Sequence, residues 1–351
     1  MRPVLKAALA PLWLDPHTLR LGSHPAQSLT YRLGPGHRAL IDALDGARDL
    51  DGLLDHADRL GPGRAEALAT LERFARDGAL DDADRPRSTI RPPAPAELAR
   101  IASDLAALGL RHRLPGGGQR AWERRGQRCV QVLGLGRVGT VVARSLAACG
   151  IGTVVPVDPL PVGHGDLGPG GYRPRDLGRR RQDATCEAIR DLTPDVRTAG
   201  SYRPWWDLAV VAPADRHPVD LLLNLTRDGT AHLLVETWPD RAGLGPLVIP
   251  DRSPCTHCRD LARSEQDPGW PLVLAQLGRT DRPGLRNGDT MLSALVAAQA
   301  VLHALAYLDG AAPPSVNGCL EYPLPFGEPV RFDLAFHPAC GCAALPLVFA
   351  D

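Results

Sequence analysis

A five-residue apolar run, Cys129-Val-Gln-Val-Leu133, breaks into Gly134-Leu-Gly136-Arg-Val-Gly139 and resumes with Val141, Val142, Leu146 and Ala147 at helical spacing. A short β-branched run, a cluster of glycines and then a 3.6-residue period predict strand, turn and helix in that order. In that context the glycines allow a tight turn, close approach of backbone to a phosphate and close packing of helix on strand, while the helix N-terminus favours an anion. The same glycines also serve packing alone, so nucleotide binding is one of two readings. Further apolar runs follow at Thr153 to Val157, Asp207 to Val211 and His232 to Glu236, the first ending in Asp158. They predict parallel strands of a doubly wound, Rossmann-like α/β sheet, with Asp158 placed to accept hydrogen bonds from a ribose. Ser315 to Tyr322 and Val330 to Phe336 read as later strands.

Two cysteine pairs add a second constraint. Cys255-Thr-His-Cys258 and Cys340-Gly-Cys342 bring four soft thiolates, the ligand set of a closed structural zinc site. Zinc there would staple the end of the chain to the middle of the domain. His257 and His337 are alternative ligands, more readily read as loop residues. Cys129, Cys149, Cys186 and Cys319 stand singly and read as small core residues. The first fifteen residues show no sustained apolar core or cleavage site, so a reducing, cytoplasmic setting is expected, in which eight cysteines do not form a disulfide framework.

Lys plus Arg equal Asp plus Glu at 40 each, so no overall field draws the chain to nucleic acid or to an anionic membrane. Met291 to Leu308 approaches spanning length, but Ser293, Gln299 and His303 interrupt it and no aromatic or basic flanks anchor it; a buried helix is expected.

Residues 1–82 predict a separate α/β module. Leu12 to Asp15, Thr18 to Gly22 and Ser28 to Leu33 read as short strands, and three helical stripes follow, the second after a possible Asp49 cap and the third with Leu68, Leu71, Phe74 and Ala75. A small sheet backed by three helices is winged-helix-like. Asp42, Asp45, Asp49, Asp51, Asp55 and Asp58 crowd its first two helices, which argues against phosphate contacts and DNA binding. Residues 83–110 read as an exposed linker and a connecting helix, and 111–351 as the second domain.

From roughly Arg111 onward the chain resembles the ThiF/MoeB, ubiquitin-activating-enzyme-like family. The resemblance is carried by the glycine turn, Asp158, Asp207-Leu-Ala-Val-Val-Ala-Pro-Ala-Asp215, Gly245-Pro-Leu-Val-Ile-Pro and the two cysteine pairs. It implies adenylation of the C-terminal carboxylate of a peptide or ubiquitin-like carrier with ATP and magnesium. Gly134, Gly136 and Gly139 would hold phosphate, Asp158 the ribose and Asp215 the magnesium. The family's Asn, Arg finger and Lys fall on Asp166, Pro169 and Arg181, and Lys6 is the only lysine in the chain. A planar guanidinium and a point charge contact phosphate differently, so adenylation is expected to be weakened or lost; Arg181 is catalytic, with Asp215, only if activity persists. Arg173 and Arg175 are candidates for a displaced finger, although a solvated basic loop accounts for them more simply.

Thr18-Leu-Arg-Leu-Gly22, Leu44-Asp-Gly46-Ala-Arg48-Asp-Leu50 and Asp77-Gly78-Ala-Leu80 resemble leader-recognition domains of the PqqD type. That resemblance implies a precursor peptide adding a strand along Ser28, Leu29, Thr30, Tyr31, Arg32 and Leu33, with Leu68, Leu71 and Phe74 alongside. The fused layout is similar to the ThiF-like partners of azole-forming YcaO-type cyclodehydratases. It implies a zinc-containing scaffold that captures a precursor peptide for thiazole and oxazole formation. An active ThiF-type adenylyltransferase is the competing reading, and a nicotinamide dehydrogenase follows from the glycine turn and Asp158 alone. Homodimers are common in the resembled family, and the Met291 helix is a candidate for such an interface.

Overall fold

The computed structural model describes residues 1–25, 27–84, 94–199, 205–214, 217–278 and 288–344. The chain divides into two compact units, Met1–Arg124 and Arg125–Asp351.

In the first unit, strands β1 (Pro3–Leu5), β2 (Pro11–Asp15), β3 (Thr18–Leu21) and β4 (Leu29–Arg32) precede helices α1 (His37–Asp42), α2 (Leu50–Leu60) and α3 (Arg64–Arg76). β5 (Leu80–Asp82), α4 (Pro95–Arg111) and α5 (Gly117–Gly126) complete it. β2, β3 and β4 form an antiparallel sheet in that order, close to the three strands expected from the sequence. Alternation puts Leu19, Leu21 and Tyr31 inward, where they share a core with Leu53, Leu54, Leu71 and Phe74. Asp49 caps α2 by accepting from the Gly52 amide at 2.9 Å. The pairing of β1 with β5 leaves no periodic signal in three-residue strands. It is fixed partly by Lys6, 3% exposed, whose Nζ lies 2.8 Å from Asp81 Oδ1. The chain's one lysine is thus committed to the first unit's architecture. Residues 85–93 of the expected linker lie outside the described residues.

The second unit runs β6 (Cys129–Leu133), α6 (Arg137–Ala148), β7 (Thr153–Val157), α7 (Arg181–Leu192), β8 (Leu208–Val211), α8 (Val219–Arg227), β9 (His232–Thr237) and β10 (Arg241–Val248). It continues with α9 (Thr256–Gln266), α10 (Trp270–Leu277), α11 (Thr290–Leu308), β11 (Gly318–Pro323) and β12 (Val330–Asp333). Its seven strands lie in the order β12-β11-β10-β9-β8-β6-β7. The β9-β8-β6-β7 block is parallel and Rossmann-like. β10, β11 and β12 are antiparallel, because a three-residue link from β9 to β10 permits only a hairpin. The chain leaves β6 for β7 on one side and crosses to β8 on the other. The strand order therefore reverses at β6, and a crevice opens at the carboxyl ends of these strands.

α11 is apolar and long enough to cross a bilayer. Leu292, Val296, Ala300, Val301, Ala304 and Leu305 on it are buried in the main core with Val142, Leu146 and Leu233. Those positions belong to the core, while Met291, Ala298 and Leu302 on the same helix are exposed.

Candidate functional site

At the end of β6, Gly134 takes φ +86°, and a Cβ there would strike the Ala212 carbonyl. A Cβ on Gly136 would lie 2.6 Å from the Ala214 Cβ, and one on Gly139 would strike the Gly134 carbonyl. All three glycines therefore have a packing reason inside the fold. Gly134 also lines a cleft of about 960 Å³ at the strand ends, with Leu133, Val157, Asp158, Val211, Leu221 and Leu274.

Asp158 and Asp166 are 5% and 3% exposed, and Arg181, on the first turn of α7, is 6% exposed. Arg181 Nη1 donates to Asp158 Oδ2 at 3.0 Å. Its Nε and Nη2 donate to Asp166 Oδ2 and Oδ1 at 2.9 and 3.1 Å. Asp158 also accepts from the Leu135 amide at 2.9 Å and the Leu160 amide at 3.0 Å, and Asp166 from the Gly163 amide at 2.8 Å. Behind this cluster, the Tyr172 hydroxyl is 2.8 Å from the Leu135 carbonyl oxygen and 2.9 Å from Thr185 Oγ1. Burial drives that phenol's pKa upward, so it remains protonated and donates. The arrangement is one guanidinium held between two carboxylates, a fork geometry that a lysine cannot reproduce. It leaves a net negative charge where a phosphate handler needs a positive one.

Asp215 lies outside the described residues. Arg173 and Arg175 are exposed and line a separate 240 Å³ hollow with Arg144, Asp176, Glu187 and Asp191. The carboxylates there balance the arginines, as in a solvated charged loop.

The sequence gives no signal for one further group on the cleft wall. His217, 4% exposed, places Nδ1 2.8 Å from Glu236 Oε1, and Arg259 Nη1 donates to Glu236 Oε2 at 3.0 Å. Glu236 lies 19 positions after His217 and 23 before Arg259, and no local motif joins them.

The cysteine pairs converge. The sulfur atoms of Cys255, Cys258, Cys340 and Cys342 all lie within 4.8 Å of one another. Cys255 to Cys340 and Cys258 to Cys342 are 3.4 Å each, and Cys255 to Cys258 is 3.9 Å. Four sulfurs around zinc at about 2.3 Å stand roughly 3.8 Å apart, so the donor set fits that ion. Burial raises the Cys255 and Cys342 thiols to about 12 and Cys340 to about 11. At Cys258, burial is outweighed by hydrogen bonds, the largest from the His337 amide at 3.4 Å, and its value falls. His337 is not a ligand: its Nε2 lies 3.0 Å from Glu265 and its Nδ1 accepts from the Ala339 amide. His257 is exposed and outside the cluster.

In the first unit, β4 is an edge of its sheet, with no further strand beside it among the described residues. Thr30 and Arg32 are exposed, Ser28 and Leu29 half-buried, and Leu68 is 39% exposed. Tyr31, Leu33, Leu71 and Phe74, expected from the sequence as peptide contacts, are core residues instead. The Tyr31 and Phe74 ring centroids are 4.5 Å apart, and the Tyr31 hydroxyl donates to Asp77 at 2.8 Å. Packing claims these side chains, leaving only the outward half of the expected set at the surface.

Residues 112–236 match the model of the ThiF family. Among curated proteins, ubiquitin-like modifier-activating enzyme 5 of Gallus gallus is 25% identical over 154 residues, 37% of this chain and 39% of that protein. The same enzyme of Caenorhabditis elegans is 27% identical over 139 residues, 37% of this chain and 33% of that protein. The chain thus spans well under half the length of these relatives. Among solved structures, Escherichia coli MccB with AMPCPP and MccA superposes with TM-score 0.69 at 14% identity, covering 98% of this chain and 100% of that one. MccB is also described as a microcin C7 biosynthetic enzyme, in a complex with N-formylated MccA at TM-score 0.65 and 14% identity, covering 98% of this chain and 100% of that one. PaaA gives TM-score 0.68 at 14% identity, over 94% of this chain and 100% of that one. The fold is shared with these proteins along nearly the whole chain.

Proposed function

We propose that this chain, with a ThiF-type domain at residues 112–236 and the MccB fold, is a peptide-capturing component of modified-peptide biosynthesis. It binds the leader of a precursor by strand addition at β4 and presents the peptide to a YcaO-type cyclodehydratase in thiazole or oxazole formation. Its own adenylation site is degenerate. The observation that carries this reading is Arg181, buried between Asp158 and Asp166 where the resembled family has a lysine. Asp158, the expected ribose ligand, already accepts three hydrogen bonds on its two oxygens. Support for peptide binding comes from the open edge of β4 and from the shared fold with MccB, solved with MccA. The four-cysteine cluster would hold zinc in a structural role, tying α9 to the segment after β12.

An active ATP-dependent adenylyltransferase is the second reading, favoured by the retained glycine turn and the open cleft at the strand ends. Pyrophosphate exchange with ATP, magnesium and candidate precursor peptides separates the two. The scaffold reading expects peptide binding without exchange, and binding weakened about tenfold or more by Thr30→Asp combined with Arg32→Glu, which places acidic charges on the edge strand. Peptide-dependent exchange by the wild-type protein would overturn it.

A further inference from the structure

β12 is an edge of the seven-stranded sheet, and all four of its residues are exposed. Phe332 on it and the neighbouring Phe326 and Phe336 are 49%, 85% and 40% exposed, whereas Phe74 in the first unit is 0% exposed. An open strand edge with apolar side chains is a template for another strand, and native folds ordinarily cover or blunt it. The Leu334 amide donates to the Asn317 carbonyl at 2.9 Å, just beyond the ladder in which Phe332 stands opposite Cys319. Inward and outward backbone groups alternate along such a ladder. The amides and carbonyls of Val330 and Phe332 therefore turn to β11, and those of Arg331 and Asp333 turn outward, where no strand meets them among the described residues. Arg331 and Asp333 also share one face of the sheet. Arg331 Nη1 lies 2.8 Å from Asp333 Oδ1, with the two side chains 46% and 84% exposed.

We infer that a second copy of this chain pairs antiparallel with β12 around a two-fold axis, joining two seven-stranded sheets into one. Backbone parity allows such self-pairing to be centred on Arg331, on Asp333 or on Phe332, and charge selects among them. Centring on Arg331 sets that residue against the partner's Arg331, and centring on Asp333 sets it against the partner's Asp333; like charges directly opposite are destabilising. Centring on Phe332 sets Arg331 against the partner's Asp333 and Asp333 against the partner's Arg331, each pair exchanging two backbone hydrogen bonds. Phe332 then faces the partner's Phe332 at the non-hydrogen-bonded position, where side chains approach most closely. The edge is thus complementary to itself in one register. The inference concerns the second unit alone, goes beyond leader capture at β4, and stands or falls separately from it.

The test is sedimentation velocity of full-length, zinc-loaded protein over a concentration series. The wild type is expected to show a reversible equilibrium between monomer and dimer. Arg331→Asp leaves two acids on the edge and Asp333→Arg leaves two arginines, and each change is expected to weaken the dimer about tenfold or more. Both positions are exposed, so the variants keep the fold. Mixed in equal amounts, the two variants are complementary at every charged position and are expected to dimerise as the wild type does. A wild-type protein monomeric at every concentration would leave the edge to another strand, of this chain or of a different protein, and would overturn the proposal. So would a dimer that both variants retain, or two variants that stay monomeric when mixed.

Discussion

Arg181 Nη1 lies 3.0 Å from Asp158 Oδ2, across 23 residues of sequence, with both side chains less than a tenth exposed. The same guanidinium makes two hydrogen bonds to Asp166. A residue that reads from the sequence as an imperfect lysine substitute is thus a structural cation for two carboxylates. Arg181→Ala strands both acids in the interior, and a loss of about 3–5 kcal/mol in unfolding free energy is expected. The triple change Arg181→Leu, Asp158→Asn and Asp166→Asn should recover much of it. Urea unfolding of the three proteins checks this, and an Arg181→Ala protein as stable as wild type would show that the pairing is not structural.

The cysteine cluster predicts about one zinc per chain by elemental analysis. Cys258→Ser, at a site whose Sγ is 3.4 Å from Cys342 Sγ, should lose the metal and lower the melting temperature, and a chelator should do the same to the wild type. Unchanged melting after complete metal removal would reduce the cluster to four packed thiols.

Phe74 and Leu68 lie on one helix, but Phe74 is 0% exposed and Leu68 39%. Phe74→Ala should cost about 3–5 kcal/mol by opening a cavity beneath Tyr31, whereas Leu68→Ala should change stability by less than about 0.5 kcal/mol. If Leu68 contributes to peptide capture, only its variant will weaken binding while leaving the denaturation midpoint in place.

His232 is 0% exposed, and burial holds its pKa down at about 4 against an ordinary 6.5. The folded state keeps the ring neutral while the unfolded chain takes up a proton below pH 6.5. Its contribution to stability is therefore intact above that pH and is lost as pH falls toward 4, by up to about 3 kcal/mol. Denaturation midpoints measured from pH 7 to 4 should fall along that window, and the slope should flatten in His232→Leu. A slope that is the same in both proteins assigns the acid sensitivity elsewhere.

Local chemistry made much of the fold legible. The glycine turn after Leu133 marked a strand and a helix because only glycine suits the positive φ at Gly134 and the close approach of Gly139. The Asp49 cap, the strands near Leu12, Thr18 and Leu29, and the buried character of the helix near Met291 follow from neighbours a few residues away. The antiparallel half of the sheet was less clear: β10 carries Gly243, Gly245 and Pro246, which read as turn rather than strand. α9 and α10 gave no clean periodic stripe among their charged and prolyl neighbours.

What the sequence determined by itself was the set of chemical types available: four soft thiolates in two pairs, a glycine turn opening a helix, a single lysine, and an arginine where a phosphate handler would place that lysine. Tertiary structure decided their use. It brought the Cys255 and Cys340 sulfurs to 3.4 Å, set Arg181 between two acids, turned Tyr31 and Phe74 inward, and joined His217 to Glu236. The physical reason is distance along the chain. Backbone preference and side-chain periodicity act over a few residues and are written in the local sequence, whereas burial and partner choice arise between residues that only the completed sheet brings together.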